Sequence, residues 1–138
     1  MSIEMPETPS SQEKSLQIIL VVEDDEAIGD LLVQILKSET PYVTLLVTDA
    51  MQALETVKSI KPGLFILDYH LPGINGVELH DRLHAIKGLE TVPTLMMSAR
   101  APARQAIGQR HITLLRKPFE LATILKAISS LLDPQEES

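Results

Sequence analysis

A chain of 138 residues, 44% of them hydrophobic, is long enough for one compact domain with its own core and leaves little for a second. Its formal charge of −7 argues against nucleic-acid binding by the chain as a whole, which needs clustered Lys and Arg. The absence of cysteine excludes disulfides and thiolate metal sites, and two Phe, two Tyr and no Trp leave an aliphatic core.

Residues 1 to 15 are rich in Ser, Pro and Glu, lack an apolar period and read as a disordered tail. Residues 134 to 138 read as a second polar tail, which leaves 16 to 133 for the domain. The start has no basic segment followed by an apolar one, as a signal peptide needs, and no apolar run approaches the ~20 residues that span a bilayer. A soluble, cytoplasmic protein without membrane contact is expected.

Ile18-Ile19-Leu20-Val21-Val22 is a continuous apolar run, the mark of a strand covered on both faces. Ile28, Leu31, Leu32, Ile35 and Leu36 then recur on one face of a helix, which either Asp24 or Asp25 can cap. Tyr42 to Val47, β-branched and half apolar, predicts a strand nearer an edge, and Asp49 can cap a helix carrying Ala50, Ala53, Leu54, Val57 and Ile60. Leu64-Phe65-Ile66-Leu67 is a second fully apolar strand. Asn75 and Glu78 form a capping pair for a helix through Leu79, Leu83 and Ile86. Thr94-Leu95-Met96-Met97 is the fourth strand. Ala101 to Gln109 predicts only a weak, short helix, with Pro102 tolerable in its first turn. Thr113-Leu114-Leu115 is the fifth strand, and Leu121, Ile124, Leu125, Ile128, Leu131 and Leu132 make the clearest helical stripe. Five alternating strand–helix units imply an α/β fold, a parallel sheet with helices on both faces, whose reactive groups gather at the carboxyl ends of the strands.

Those ends carry chemistry. The first strand ends in Glu23-Asp24-Asp25, the third in Asp68, the fourth in Ser98 and the fifth in Arg116-Lys117-Pro118. Carboxylates this close repel one another unless a cation joins them, and an all-oxygen set suits Mg²⁺. A lysine and a hydroxyl opposite the metal supply the positive charge and the donor that a phosphoryl group needs. A carboxylate between metal and lysine can act as nucleophile, because aspartate forms acyl phosphates. Taken singly, each is as well explained as a loop residue or a helix cap; their conjunction on successive strand ends favours a site.

These residues carry a resemblance. Ile19-Leu20-Val21-Val22-Glu23-Asp24-Asp25, Leu67-Asp68-Tyr69-His70-Leu71-Pro72-Gly73-Ile74-Asn75-Gly76, the strand ending in Ser98, and Lys117-Pro118-Phe119 together resemble the receiver domain of two-component response regulators, over about Gln17 to Leu132. The resemblance implies a flavodoxin-like (βα)5 fold, doubly wound, with strand order 2-1-3-4-5. It implies a phosphorelay role in signal transduction: Asp68 as phosphoacceptor from a phosphohistidine of a sensor histidine kinase or histidine phosphotransfer protein, and Mg²⁺ as cofactor. Asp24 would be a direct metal ligand and Glu23 would act through water, with Asp68 and the backbone carbonyl of His70 completing the protein's share. Ser98 would move to the phosphoryl oxygen, Lys117 would pair with it, and the Lys117–Pro118 bond would be cis. Such a module is a switch, not an enzyme beyond self-catalysed phosphorylation and dephosphorylation. The native-looking start and polar ends favour a complete, stand-alone chain.

The pattern also departs from the family. Leu114 stands where the family has an aromatic switch residue, and the stretch from Ser98 to Lys117 is shorter than usual, so the fourth helix is expected to be stunted. From Thr91 to Phe119 there is no Asp or Glu, whereas Arg100, Arg104, Arg110, Arg116 and Lys117 fall there. This 91–119 face is expected to meet an acidic downstream target or a second copy of the chain, with a solvated face as the plainer alternative. His80 and His84, spaced i, i+4, read as a solvated helix face, since no third metal ligand accompanies them. The competing function is an aspartyl-phosphate-forming phosphatase or phosphotransferase on a similar fold, but dehalogenase-like enzymes of that kind carry a second Asp two residues after the nucleophile, where this chain has His70.

Overall fold

The computed structural model describes residues 17–100 and 104–132. The tails expected at 1–15 and 134–138 lie outside the described residues, as does the Ala101–Ala103 start of the weak helix with Pro102. The chain alternates β1 (Ile18–Val22), α1 (Glu26–Glu39), β2 (Val43–Val47), α2 (Ala50–Thr56), β3 (Leu64–Asp68), α3 (Gly76–His84), β4 (Thr94–Ser98), α4 (Arg104–Ile107), β5 (Ile112–Arg116) and α5 (Leu121–Leu132). All four strand pairings are parallel, in the order β2-β1-β3-β4-β5. This is the doubly wound arrangement expected.

Because side chains alternate across a strand, the apolar runs feed two cores at once. Leu20, Val22, Phe65, Leu67 and Met96 pack with α2 and α3 through Ala53, Leu79 and Leu83. Ile19, Val21, Ile66, Leu95 and Met97 pack with α1 and α5 through Leu32, Leu36, Ile124 and Ile128. Removing each such side chain from water is worth about 1.5–3 kcal/mol, which makes the three central strands the anchor of the fold. Strand β2 is at the edge, as its half-apolar sequence predicted, and its residues are only partly buried.

Local signals set the helix starts. Asp25, not Asp24, caps α1 by accepting from the Ile28 N–H at 3.0 Å. Asp49 accepts from the Gln52 N–H at 2.8 Å. Asn75 and Glu78 close a full capping box, Glu78 N–H to Asn75 Oδ1 at 2.9 Å and Asn75 N–H to Glu78 Oε1 at 3.0 Å. Helices α2 and α3 end earlier than their apolar periods suggested, with Val57 and Ala85 as C-caps, so Ile60 and Ile86 lie beyond the helices, and Ile86 packs on the core from the following loop.

Two expectations are corrected. His80 and His84 do not form a solvated face: His80 is 7% exposed and its ring stacks on His84 at 4.0 Å. The ring nitrogens of His84 lie 2.6 Å from the His80 carbonyl and 2.7 Å from the Val92 carbonyl, and its edge meets Phe65 at 5.5 Å. Helix α3 turns this side toward β3 and the loop before β4, a tertiary contact that spacing alone does not reveal. Arg110, part of the basic stretch read as facing solvent or a partner, is instead paired within the chain. Its Nε and Nη2 both donate to Asp81 on α3 at 2.7 Å, and its Nη1 donates to the Ile107 carbonyl at 3.0 Å.

Candidate functional site

The crossovers run over the faces of the sheet, so the loops leaving β1, β3, β4 and β5 share one end of it, and the predicted residues meet there. Glu23 follows β1 and is 1% exposed; Asp68 ends β3 at 4%; Ser98 ends β4 at 2%. One oxygen each from Glu23, Asp24 and Asp68 lie within 4.8 Å of one another. Lys117, following β5, donates to Glu23 Oε1 at 2.9 Å and lies 3.3 Å from Asp68 Oδ2.

Backbone groups hold these side chains in place. The Asp25 N–H donates to Glu23 Oε2 at 3.0 Å, and the His70 N–H donates to Asp68 Oδ1 at 3.1 Å. The strand end carrying Asp68 is tied across to β4 by Tyr69 N–H to the Met97 carbonyl at 2.8 Å, and β5 is tied to β4 by Lys117 N–H to the Ser98 carbonyl at 2.9 Å. The Lys117–Pro118 peptide is cis, as expected. Gly76 opens α3 against this strand end: its N–H donates to the Tyr69 carbonyl at 2.8 Å, and a Cβ there would stand 2.7 Å from the Asp68 carbonyl oxygen. The spacing in Pro72-Gly73-Ile74-Asn75-Gly76 was the available sign of that close approach.

The electrostatics are those of a buried acid pair around one cation. Burial, and next the neighbouring Asp68, push the Glu23 carboxyl up, against the downward pull of the Asp25 N–H and Lys117. Burial works to lower Lys117, but its bond to Glu23 and the Asp68 charge outweigh it, so the ammonium is held above its usual range. One ammonium against Glu23, Asp24 and Asp68 leaves the cluster net negative. Its all-oxygen donors match a hard divalent cation such as Mg²⁺, which would offset the burial that chiefly raises Glu23 and relieve the smaller repulsion from Asp68.

Ser98 lies at the same end but its hydrogen bonds go elsewhere. Its hydroxyl donates to the Arg100 carbonyl and accepts the Arg100 N–H at 3.2 Å. His70 exposes its side chain and meets Tyr69 edge-on at 4.8 Å. Two features escaped the sequence reading: the direct Glu23–Lys117 ion pair, and the Arg100 backbone that holds Ser98. Both join residues far apart in sequence or through main-chain atoms, and neither leaves a residue-type signal. Leu114, on the edge strand β5, is 45% exposed.

Comparison with known proteins points the same way. The family described as Response regulator receiver domain matches residues 19–129. The DNA-binding response regulator MtrA of Mycolicibacterium paratuberculosis is 38% identical over 117 residues, 80% of this chain and 50% of that protein. The chain thus spans about half the length of the curated relatives it matches. Among solved structures, the signal receiver domain of an HD domain-containing protein from Pseudomonas fluorescens Pf-5 superposes with a TM-score of 0.78 at 28% identity, covering 89% of this chain and 99% of that one. The receiver domain of sensor histidine kinase PA1611 from Pseudomonas aeruginosa PAO1, solved with a magnesium ion coordinated in its active-site cleft, superposes at 0.75 and 24% identity, covering 85% and 98%, and so shares the fold. With the acidic strand ends, the lysine after β5 and the 2-1-3-4-5 sheet all in register with this match, the chain belongs to the response regulator receiver domain family.

Proposed function

We propose that Asp68 is the phosphoacceptor of this receiver domain. The observation that carries the reading is Asp68 itself, 4% exposed, with one oxygen on the His70 N–H, the other beside Lys117, and two further carboxylates within 4.8 Å. Glu23, Asp24, Asp68 and the backbone carbonyl of His70 would hold Mg²⁺. When bound, the ion would neutralise the carboxylates and draw the phosphoryl oxygens toward them.

The chain's own groups do the rest. An Asp68 oxygen bonds to phosphorus as the P–N bond of a donor phosphohistidine breaks, and the electron pair returns to the donor's imidazole. Lys117 balances charge on the new acyl phosphate once it exchanges part of its bond to Glu23 for a phosphoryl oxygen. Ser98 must let go of the Arg100 carbonyl to donate to the phosphoryl group, which moves the start of the β4–β5 crossover. That movement is the readout, and Leu114 takes no aromatic part in it.

The donor is a sensor histidine kinase or a histidine phosphotransfer protein, and the downstream partner meets the 91–119 face, where Arg100, Leu114 and Arg116 are exposed. A second copy of the chain fits the same face. We place the protein in the cytoplasm; no described helix is long and apolar enough to cross a membrane. The test is intact mass after incubation with acetyl phosphate and Mg²⁺. A single Mg²⁺-dependent adduct, absent from Asp68→Ala, supports the assignment. An adduct that persists in Asp68→Ala, or none in folded wild-type protein, removes it.

A further inference from the structure

Ser98 is held by main-chain atoms of the residues that follow it, and those residues are held in turn by one side chain. The Ser98 hydroxyl donates to the Arg100 carbonyl and accepts the Arg100 N–H at 3.2 Å. The ladder between β4 and β5 closes with Lys117 N–H on the Ser98 carbonyl at 2.9 Å. The next carbonyl, that of Ala99, lies past the strand, and Arg116 Nε donates to it at 3.1 Å. Arg116 is the register partner of Ser98 across the β4–β5 pair, so its side chain starts beside the strand end it reaches back to.

The side chains on this face of β5 differ in what they can carry. Alternation along the strand puts Ile112, Leu114 and Arg116 on one side of the sheet, where Ile112 packs with the α2–α3 core. Leu114 is 45% exposed and makes no polar contact, so it has little hold on the loop after β4. Arg116 does have a hold. Among the described residues the Ala99 carbonyl is its one hydrogen-bond partner, and no carboxylate competes for the guanidinium. A charged donor makes a stronger bond to a carbonyl than a neutral one does. For the Ser98 hydroxyl to reach a phosphoryl oxygen on Asp68, it must leave Arg100, and the Ala99–Arg100 main chain must shift. That shift carries the Ala99 carbonyl away from Nε. The loop thus has two arrangements, and Arg116 bonds to it in the resting one.

We propose that Arg116 is a positioning residue for phosphoryl transfer: its bond to the Ala99 carbonyl holds the loop after β4 in the arrangement that keeps the Ser98 hydroxyl on Arg100. The proposal rests on Asp68 as the phosphoacceptor. The experiment is the rate of adduct formation with subsaturating acetyl phosphate and Mg²⁺, by intact mass, in wild type and Arg116→Met, which keeps the side-chain stem and removes the guanidinium. Losing one exposed hydrogen bond from the resting arrangement should speed labelling about two- to fivefold. In a Ser98→Ala background the same substitution should change nothing, because no hydroxyl remains to be released. A merely structural role does not predict that dependence, and attraction of the anionic donor by the guanidinium predicts slower labelling. An unchanged rate, a slower one, or equal acceleration in Ser98→Ala would overturn the proposal. Exchange of the Arg100 N–H with solvent, read by NMR on the unphosphorylated ¹⁵N-labelled full chain, tests the restraint without phosphorylation. It should rise by a similar factor in Arg116→Met, and unaltered exchange counts against the restraint. No adduct in folded wild-type protein removes the phosphoacceptor reading instead, and the exchange rate then still decides whether Arg116 holds the loop.

Discussion

Lys117→Met isolates the buried charge cluster. It keeps the apolar stem and removes the ammonium that lies 2.9 Å from Glu23 and 3.3 Å from Asp68. Removing one partner of a buried ion pair costs about 3–5 kcal/mol when the stranded charge has no escape. Here Glu23 has one: it can take a proton. With an ordinary carboxyl pKa of 4.5, protonation at pH 7 would cost about 3.4 kcal/mol, some 2.5 pH units at about 1.36 kcal/mol each. Burial and Asp68 push Glu23 upward, so the true ceiling is lower. The expected loss is about 2–3 kcal/mol at pH 7 without divalent ions, and under about 1 kcal/mol at pH 5, where the proton is nearly free. The sign follows from Lys117: its folded pKa is raised, so the stability it contributes is present throughout the neutral range and is lost only in strong alkali. The narrowing at pH 5 therefore comes from Glu23 alone. Urea unfolding of wild type and variant at both pH values, in EDTA, measures it. Equal stability at pH 7, or a gap that widens toward pH 5, would show that the ammonium does not hold this cluster together.

Three further outcomes are expected. Gly76→Ala forces a Cβ to 2.7 Å from the Asp68 carbonyl and should cost about 1–3 kcal/mol while slowing acyl-phosphate formation; a variant that melts and labels like wild type refutes the close approach. Asp24→Asn removes one of three gathered carboxylates and should weaken Mg²⁺ binding about tenfold or more by calorimetry, with unchanged affinity counting against Asp24 as a ligand. Asp81, held near 2 by Arg110, is a depressed carboxyl, so its contribution is complete above its ordinary 3.8 and fades as pH falls through about 2. The pair is half exposed, so the effect is under about 1 kcal/mol. The stability difference between wild type and Asp81→Asn should be visible at pH 6 and gone near pH 2; a difference that grows in acid contradicts the pairing.

Much of the fold was legible because its signals are local or periodic. Continuous apolar runs marked β1 and β3 as doubly covered, and Asp25, Asp49, Asn75 and Glu78 wrote the helix starts into their own side chains. Parallel strands then bring their carboxyl ends together, so Glu23, Asp24, Asp68, Ser98 and Lys117 were found as a set although up to 94 residues separate them. The tertiary structure alone decided what each group touches. It gave the capping role to Asp25 and left Asp24 to the carboxylate cluster. It paired Glu23 with Lys117 and turned the Ser98 hydroxyl to a main-chain carbonyl. It buried His80 beneath a shortened crossover and took Arg110 out of the basic face by giving it to Asp81. Composition and period report which side a residue faces; hydrogen-bond partners depend on distances between elements, which exist only once the sheet has closed around its core.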